Sequence, residues 1–455
     1  MNRFDHFLNI LKKSITSLDD WRSSYGSDLS SRDSENFDTK QIETILAELE
    51  ERLQGNYPFH HPQYAGQMLK PPHPIAWLAY SLASTINPNN HALDGGPPTS
   101  EMEKEVIEKM AGMVGYSDNF LGHLTSGGTI ANLEALFVAR EIHPEKAIAA
   151  TANAHYTHQR MCRVLNSRFI EIPVNPDGVP DFTFIKNNAD IIGTIVVTMG
   201  TTGLGTVEPL DEILEIAQNN GLRVHADAAY GGFFKLIEDQ LPSLRHWKRL
   251  ADCDSIVIDP HKHGLQPYGC GSVIYRDAAV GRFFKHDSPY TYFTSDDLHL
   301  GEISLECSRA GASAAAFWAT LELMPLTKNG LGSILERTRN SAVKFASLIE
   351  KEENWQLYNQ PELDITGYFK LPDEKSISAL NKLNQSIFEV GMKVKENGFH
   401  LSLFKVPASD FSFRYPDFKT DAEHAVILRS VFMKDEHYNF VDELARRLFE
   451  TEIGS

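Results

Sequence analysis

The chain reads as an α/β protein: a large, mostly parallel sheet with helices on both faces, followed by a smaller α+β lobe. Three observations lead there. Between about residues 98 and 330, short β-type runs alternate with helical stretches, which implies parallel strands joined by helical crossovers. Several of those runs, such as IIGTIVVT, are almost continuously apolar, as strands buried on both faces must be. After about residue 330 the order changes to long helices flanking a few short strands. The expected division is an N-terminal helical and irregular segment (1–75), a large domain (76–330) and a small C-terminal domain (331–455).

Taken in order, residues 1–55 hold two amphipathic patterns, FDHFLNILKKSI and TKQIETILAELEERL. The Ser/Asp-rich SSYGSDLSSRDSEN joins them as a loop. NYPFHHPQYAGQMLKPPHP (56–74) is too rich in Pro, His and aromatics for regular structure. It is either a plain connector or an ordered loop that lines a site, with Tyr57, Phe59, His60, His61, Tyr64 and Lys70 at hand. PPTSEMEKEVIEKMAGMVG predicts a helix opened by a Ser100/Glu103 capping box. GGTIANLEALFVAREI predicts a second, beginning near Ile130. Strands follow at 146–151, 169–174, 191–198, 222–227, 254–259 and 271–276, with LDEILEIAQNN (210–220) among the helices between them. The last third predicts helices at SILERTRNSAVKFASLIEKEE, KSISALNKLNQSIFEVGMKVKENG and YNFVDELARRLFETE, and strands at ITGYFKL, HLSLFKV and AVILRSVFM.

Composition narrows the function. With 61 acidic and 43 basic residues the formal charge is −18, which argues against nucleic acid as a partner while leaving room for a local anion site. Cys162, Cys253, Cys270 and Cys307 form no CxxC pair and read as reduced thiols of a cytoplasmic protein, not as disulfides or metal ligands. No signal peptide and no membrane span are expected.

In an open α/β sheet, ligands bind at the carboxyl ends of the strands, and four motifs fall there. HLTSGGTIANL puts Ser126, Gly127, Gly128 and Thr129 at a helix start, where free N–H groups suit a phosphate; a simple N-cap is the plainer reading. TMGTTGLG (198–205) offers the Thr201 and Thr202 hydroxyls, or is an ordinary glycine-rich turn. RVHADAAYGGFF ends a strand at Asp227, a carboxylate able to pair with a protonated ring nitrogen, or to cap the next turn. DPHKHGLQP places Lys262 at the end of the apolar run SIVI. Apolar surroundings lower an amine's pKa and make it a nucleophile toward aldehydes, although a lone lysine there would ordinarily snorkel to solvent. Phosphate loop, hydroxyl loop, aspartate and lysine in that order describe a pyridoxal phosphate site. No metal is expected.

HLTSGGTIANLEAL, HADAAYGG and DPHKHGLQPYGCGS, supported by AHYTHQR and ECSRAGASAAAFW, resemble the group II pyridoxal-phosphate decarboxylases that act on aromatic amino acids, glutamate, histidine and tyrosine. The resemblance implies the aspartate-aminotransferase-like fold (type I), with a seven-stranded-type sheet. It implies that Lys262 holds the cofactor as a Schiff base, that Asp227 pairs with its ring nitrogen, and that His155 and Ala229 pack on its two faces. Gly128, Thr129 and His261 would hold the phosphate, and Thr202 would bond near the phenolic oxygen. It further implies decarboxylation of an L-amino acid to an amine through a quinonoid, and a homodimer, embraced by the N-terminal segment, with the site at the interface. His263 stands where many relatives have an aromatic residue, so a change beside the phosphate is expected.

A mobile-loop tyrosine in the family protonates the α-carbon after CO2 leaves. Here HDSPYTYFTSDDLHLGEIS (286–304) offers Tyr290, Tyr292 or His299, and the product, amine or aldehyde, turns on which is used. The substrate is a small amino acid, with Tyr64, Gln67 and Lys70 as candidate contacts. An aminotransferase or carbon–carbon lyase on the same fold is the alternative, in which Arg429 of VILRSVFM would clamp the α-carboxylate. A cofactor-binding protein without turnover is the third reading.

Overall fold

The computed structural model describes residues 3–26, 38–285, 299–393 and 398–451. Its centre is a seven-stranded sheet: β1 (Leu121–Thr125), β2 (Ala147–Thr151), β3 (Phe169–Ile172), β4 (Ile192–Thr198), β5 (Arg223–Asp227), β6 (Ser255–Ile258) and β7 (Gly271–Tyr275), in the order β1-β7-β6-β5-β4-β2-β3. Strands β3, β2, β4, β5 and β6 are parallel neighbours, whereas β7 runs antiparallel to both β6 and β1. Every residue of β2, β4 and β6 is buried, because helices cover both faces. Phe233, Phe234, Trp247 and Phe317 fill the adjoining core, each contributing roughly 1.5–3 kcal/mol through burial. Thr198 lies beside Asp227, and Asp227 beside Val257, so β4, β5 and β6 end at one level.

The small lobe is a four-stranded antiparallel sheet in the order β10-β11-β9-β8: β8 (Trp355–Leu357), β9 (Ile365–Lys370), β10 (Ser402–Pro407) and β11 (His424–Val431). Helices Leu331–Ile349 and His437–Phe449 close one part of its core around Phe345, Tyr368 and Phe432. Residues 56–73 strap across both lobes. Ala65 N–H donates to His400 O (2.8 Å), Val431 N–H to Ala65 O (2.8 Å), and His73 N–H to Leu265 O (2.9 Å).

The structure corrects several expectations. Ser100 and Glu103 lie inside the helix Pro97–Val114, which begins after Gly96, so they form no capping box. The Glu103 carboxylate instead accepts from Asn90 Nδ2 (2.6 Å) and Leu124 N–H (2.9 Å), tying this helix to β1. The next helix starts at Gly128, not Ile130. Strand β1 (LGHLT) was not anticipated, because a Gly–His pair interrupts its apolar character; pairing with β7 makes the strand. Helices Pro74–Ser84 and Gly311–Leu323, which pack on one another, are too uniformly apolar and Ala-rich to show a helical stripe.

Candidate active site

The site begins where β1 gives way to the helix Gly128–Ile142. Gly127 has φ +153°, a conformation that side chains disfavour. A Cβ on Gly128 would stand 2.5 Å from Asp259 Oδ2, so the backbone approaches this carboxylate as only glycine can. The Gly128 and Thr129 N–H groups open the helix and have no intrahelical carbonyl to bond, the kind of free donors that suit an anion. Ser126 N–H donates to the Glu306 carboxylate (2.8 Å).

Asp227 ends β5 and is 6% exposed. His158 Nε2 lies 2.8 Å from its Oδ2, and Ala229 N–H donates to its Oδ1 (3.2 Å). Burial alone would raise this carboxyl, but the His158 hydrogen bond, with the charges of His158 and Lys262, outweighs burial and holds it well below the usual carboxylate range. Behind it, buried Glu208 receives Thr198 N–H (2.7 Å) and the Thr151 hydroxyl, and burial pushes it up to about 7.

Lys262 follows β6. Its Nζ lies 3.2 Å from Asp259 Oδ2, because the turn closed by Lys262 N–H to Asp259 O (2.9 Å) brings the two side chains together. The expected apolar surroundings are therefore corrected: a carboxylate sits beside the amine. His261 Nδ1 donates to Cys270 O (2.7 Å), which fixes that nitrogen as protonated. Thr157 N–H donates to His155 Nδ1 (3.3 Å), so Nε2 carries the proton of the neutral ring; burial lowers its pKa.

These groups converge on one cavity of about 320 Å3, at the small end of ligand pockets. Ser126, Gly127, Gly128 and Thr129 line it, with His155, Thr202, Asp227, Ala229, His261 and Lys262. Asn132, Thr157, Thr198, Gly200, Tyr230 and Asp259 also border it and were not anticipated. Neither was His158, although it stands three residues after His155 in AHYTHQR, in the first turn of the helix Thr157–Val164. A helix start with free N–H groups, a buried carboxylate held ionised and a primary amine in one cavity fit a phosphorylated pyridine aldehyde.

Other candidates lie outside this lining. Tyr64 is buried, and its hydroxyl accepts from Gln67 N–H (3.3 Å), while Gln67 is exposed. Lys70 Nζ donates to Met433 O (3.0 Å), and burial draws its amine down to about 8. Arg429 is 5% exposed and bonds the carbonyls of Gly203 (2.6 Å), Thr202 (2.8 Å) and Gly66 (3.2 Å) and the Ser402 hydroxyl (3.0 Å). Its donors thus tie the Thr202 loop to the small lobe. His299 is buried and its Nδ1 accepts Leu93 N–H (3.2 Å); Tyr290 and Tyr292 lie outside the described residues. His263 is outside the cavity lining, and its Nε2 lies 3.2 Å from Asp364 Oδ2.

The pyridoxal-dependent decarboxylase conserved domain matches residues 31–368. The chain is 27% identical to the L-tyrosine decarboxylase of Enterococcus faecium, in an alignment covering 76% of this chain and 75% of that protein. It is 29% identical to a probable L-aspartate decarboxylase of Pyrococcus furiosus, covering 72% and 87%. Among solved structures, mouse CSAD superposes with a TM-score of 0.76 at 20% identity (89% of this chain, 87% of that one), and Oryza sativa TDC with PLP and tryptamine with 0.77 at 15% (100% and 99%). These share the fold. The chain belongs to the pyridoxal-dependent decarboxylase family, with pyridoxal phosphate as its cofactor.

Proposed function

We propose that this enzyme removes the α-carboxylate of an L-amino acid as CO2 and returns the amine, with Lys262, Asp227 and His155 as its central residues. The observation that carries this reading is the convergence of the Lys262 amine, the ionised Asp227 carboxylate and the Gly128 helix start on one cavity. Pyridoxal phosphate supplies an aldehyde for an amine and a ring that takes up the electron pair left when CO2 departs. Gly128 and Thr129 N–H groups would seat its phosphate, beside His261. Asp227, kept ionised by His158, would hold a proton on the ring nitrogen, which is what makes the ring an electron acceptor. His155 would present its Nε2–H toward one ring face and Ala229 its methyl toward the other. The Thr202 hydroxyl would serve the ring oxygen, held in place by Arg429.

Curated relatives act on tyrosine, aspartate and 2,4-diaminobutyrate, so substrates with aromatic, acidic and basic side chains belong in one screen. We also infer a homodimer. The helix Thr39–Leu53 buries none of its residues and exposes Ile42, Ile45, Leu46, Leu49 and Leu53 at helical spacing, an apolar stripe that a second copy would cover. Three of the four free cysteines are buried, in keeping with a cytoplasmic setting.

The test is to incubate cofactor-loaded protein with pooled amino acids and follow CO2, amines and carbonyl products by mass spectrometry. Amine matched by CO2 is the expected result. Aldehyde with oxygen uptake would redirect the outcome after CO2 loss, and keto acid without CO2 would overturn the decarboxylase reading. Lys262→Ala should abolish turnover.

A further inference from the structure

We infer that Asp364, a small-lobe residue outside the cofactor cavity, is a positioning residue that sets the chain segments carrying Asp227 and Lys262 against one another, through Tyr230 and His263. The inference rests on the role proposed above for Lys262.

Asp364 precedes β9 and is fully buried, as is His263, the residue next to Lys262. One of its oxygens accepts the Tyr230 hydroxyl (2.5 Å), and the other lies 3.2 Å from His263 Nε2. Tyr230 follows Asp227 by three residues and lines the cavity. One carboxylate therefore meets both loops, by a hydrogen bond to Tyr230 after β5 and by charge–dipole contact with the His263 ring after β6. The joint is closely packed: the His263 ring lies 4.8 Å from the Tyr230 ring and 5.0 Å from that of Phe234, both edge-on. Asp364 is itself fixed, since its carbonyl accepts Phe432 N–H (2.8 Å).

A buried carboxylate is costly unless it is paired, and removing it would leave a buried phenol without its acceptor. Burial, then the Asp364 charge, raises the Tyr230 phenol far above its ordinary value, so the hydroxyl stays a donor to Asp364. Burial lowers the His263 imidazole, while Asp364 opposes that fall. Lys70 and Arg429 add positive charge around the same carboxylate. The small lobe thus reaches behind the cavity and touches the immediate sequence neighbourhood of both groups that would meet the cofactor.

The experiment compares wild type, Asp364→Asn, Tyr230→Phe and the double variant, using the full chain. Pyridoxal phosphate binding is titrated by absorbance, borohydride trapping at Lys262 is mapped by peptide mass, and urea unfolding of the cofactor-free protein is recorded alongside. Asp364→Asn should weaken cofactor binding about tenfold, taking as the scale the loss of an outer partner behind a metal ligand. Tyr230→Phe, which removes only a hydroxyl and should fold even if Asp364→Asn does not, should weaken binding several-fold. The double variant should fall well short of the product of the two, since both act at one joint. Binding within twofold of wild type in the variants that fold, even with lowered stability, would mean the carboxylate merely stabilises the fold and would overturn the proposal. Wild-type protein that traps no cofactor at Lys262 would overturn the assignment of Lys262, and this proposal with it. Trapping in wild type with unaltered binding in the variants overturns this proposal alone.

Discussion

Replacing Gly128 with alanine tests the cofactor seat by one methyl group. The added carbon would stand 2.5 Å from Asp259 Oδ2, 2.8 Å from its Oδ1 and 3.0 Å from its Cγ, closer than such atoms tolerate. Gly128 is not among the glycines with positive φ, so the backbone accepts alanine and the effect is steric. Asp259 is 2% exposed and cannot swing into solvent. Relief must come from shifting Asp259, whose carboxylate lies 3.2 Å from Lys262 Nζ, or from moving the helix start itself. Overpacking of this kind costs about 1–3 kcal/mol. At about 1.4 kcal/mol per tenfold, strain felt in the cofactor complex lowers pyridoxal phosphate affinity about 5- to 150-fold. Absorbance titration of the cofactor-free protein measures it. Gly112→Ala is the control: an added Cβ there meets nothing within 4 Å, the site is an exposed helix interior, and stability should rise by about 0.4–1 kcal/mol with affinity unchanged. Gly128→Ala binding within twofold of wild type would refute the argument that this helix start is the seat.

Three further outcomes follow from the site and its surroundings. His158→Phe removes the hydrogen bond that keeps Asp227 ionised. Because that carboxyl is depressed in the folded chain, its contribution is present above the unfolded value near 3.9 and is lost as pH falls toward the folded value. In urea unfolding of the cofactor-free protein the variant should lag wild type by about 1.5–3 kcal/mol at pH 7, with the gap closing below about pH 4; a gap independent of pH would count against this account. Leu46→Glu with Leu49→Glu should convert a dimer into a monomer in light scattering, since both lie on the exposed stripe of Thr39–Leu53; an unchanged mass would place the interface elsewhere. Arg429→Met should weaken cofactor binding by loosening the Thr202 loop; loss of substrate affinity alone would instead indicate a direct contact with substrate.

Fold class and cofactor chemistry were both legible in the amino-acid order. Strand period, helix crossovers and turn residues act locally, so the ends of β4, β5 and β6 were legible, and with them Thr202, Asp227 and Lys262. Glycines next to a helix start marked that edge of the cavity for the same reason. The contacts that needed the folded molecule to be seen join segments distant in the chain. Asp364 meets His263 across about a hundred residues, Arg429 meets Thr202 across more than two hundred, and no periodicity records either pairing. The charge beside Lys262 illustrates the limit: Asp259 was in view three residues away, but whether the turn would fold it against the amine or send it to solvent depended on packing against Gly128. Edge strand β1 went unread because its partner, β7, makes it a strand. Local propensity writes elements and motifs into the sequence; the neighbours that set a buried group's charge are fixed when those elements pack.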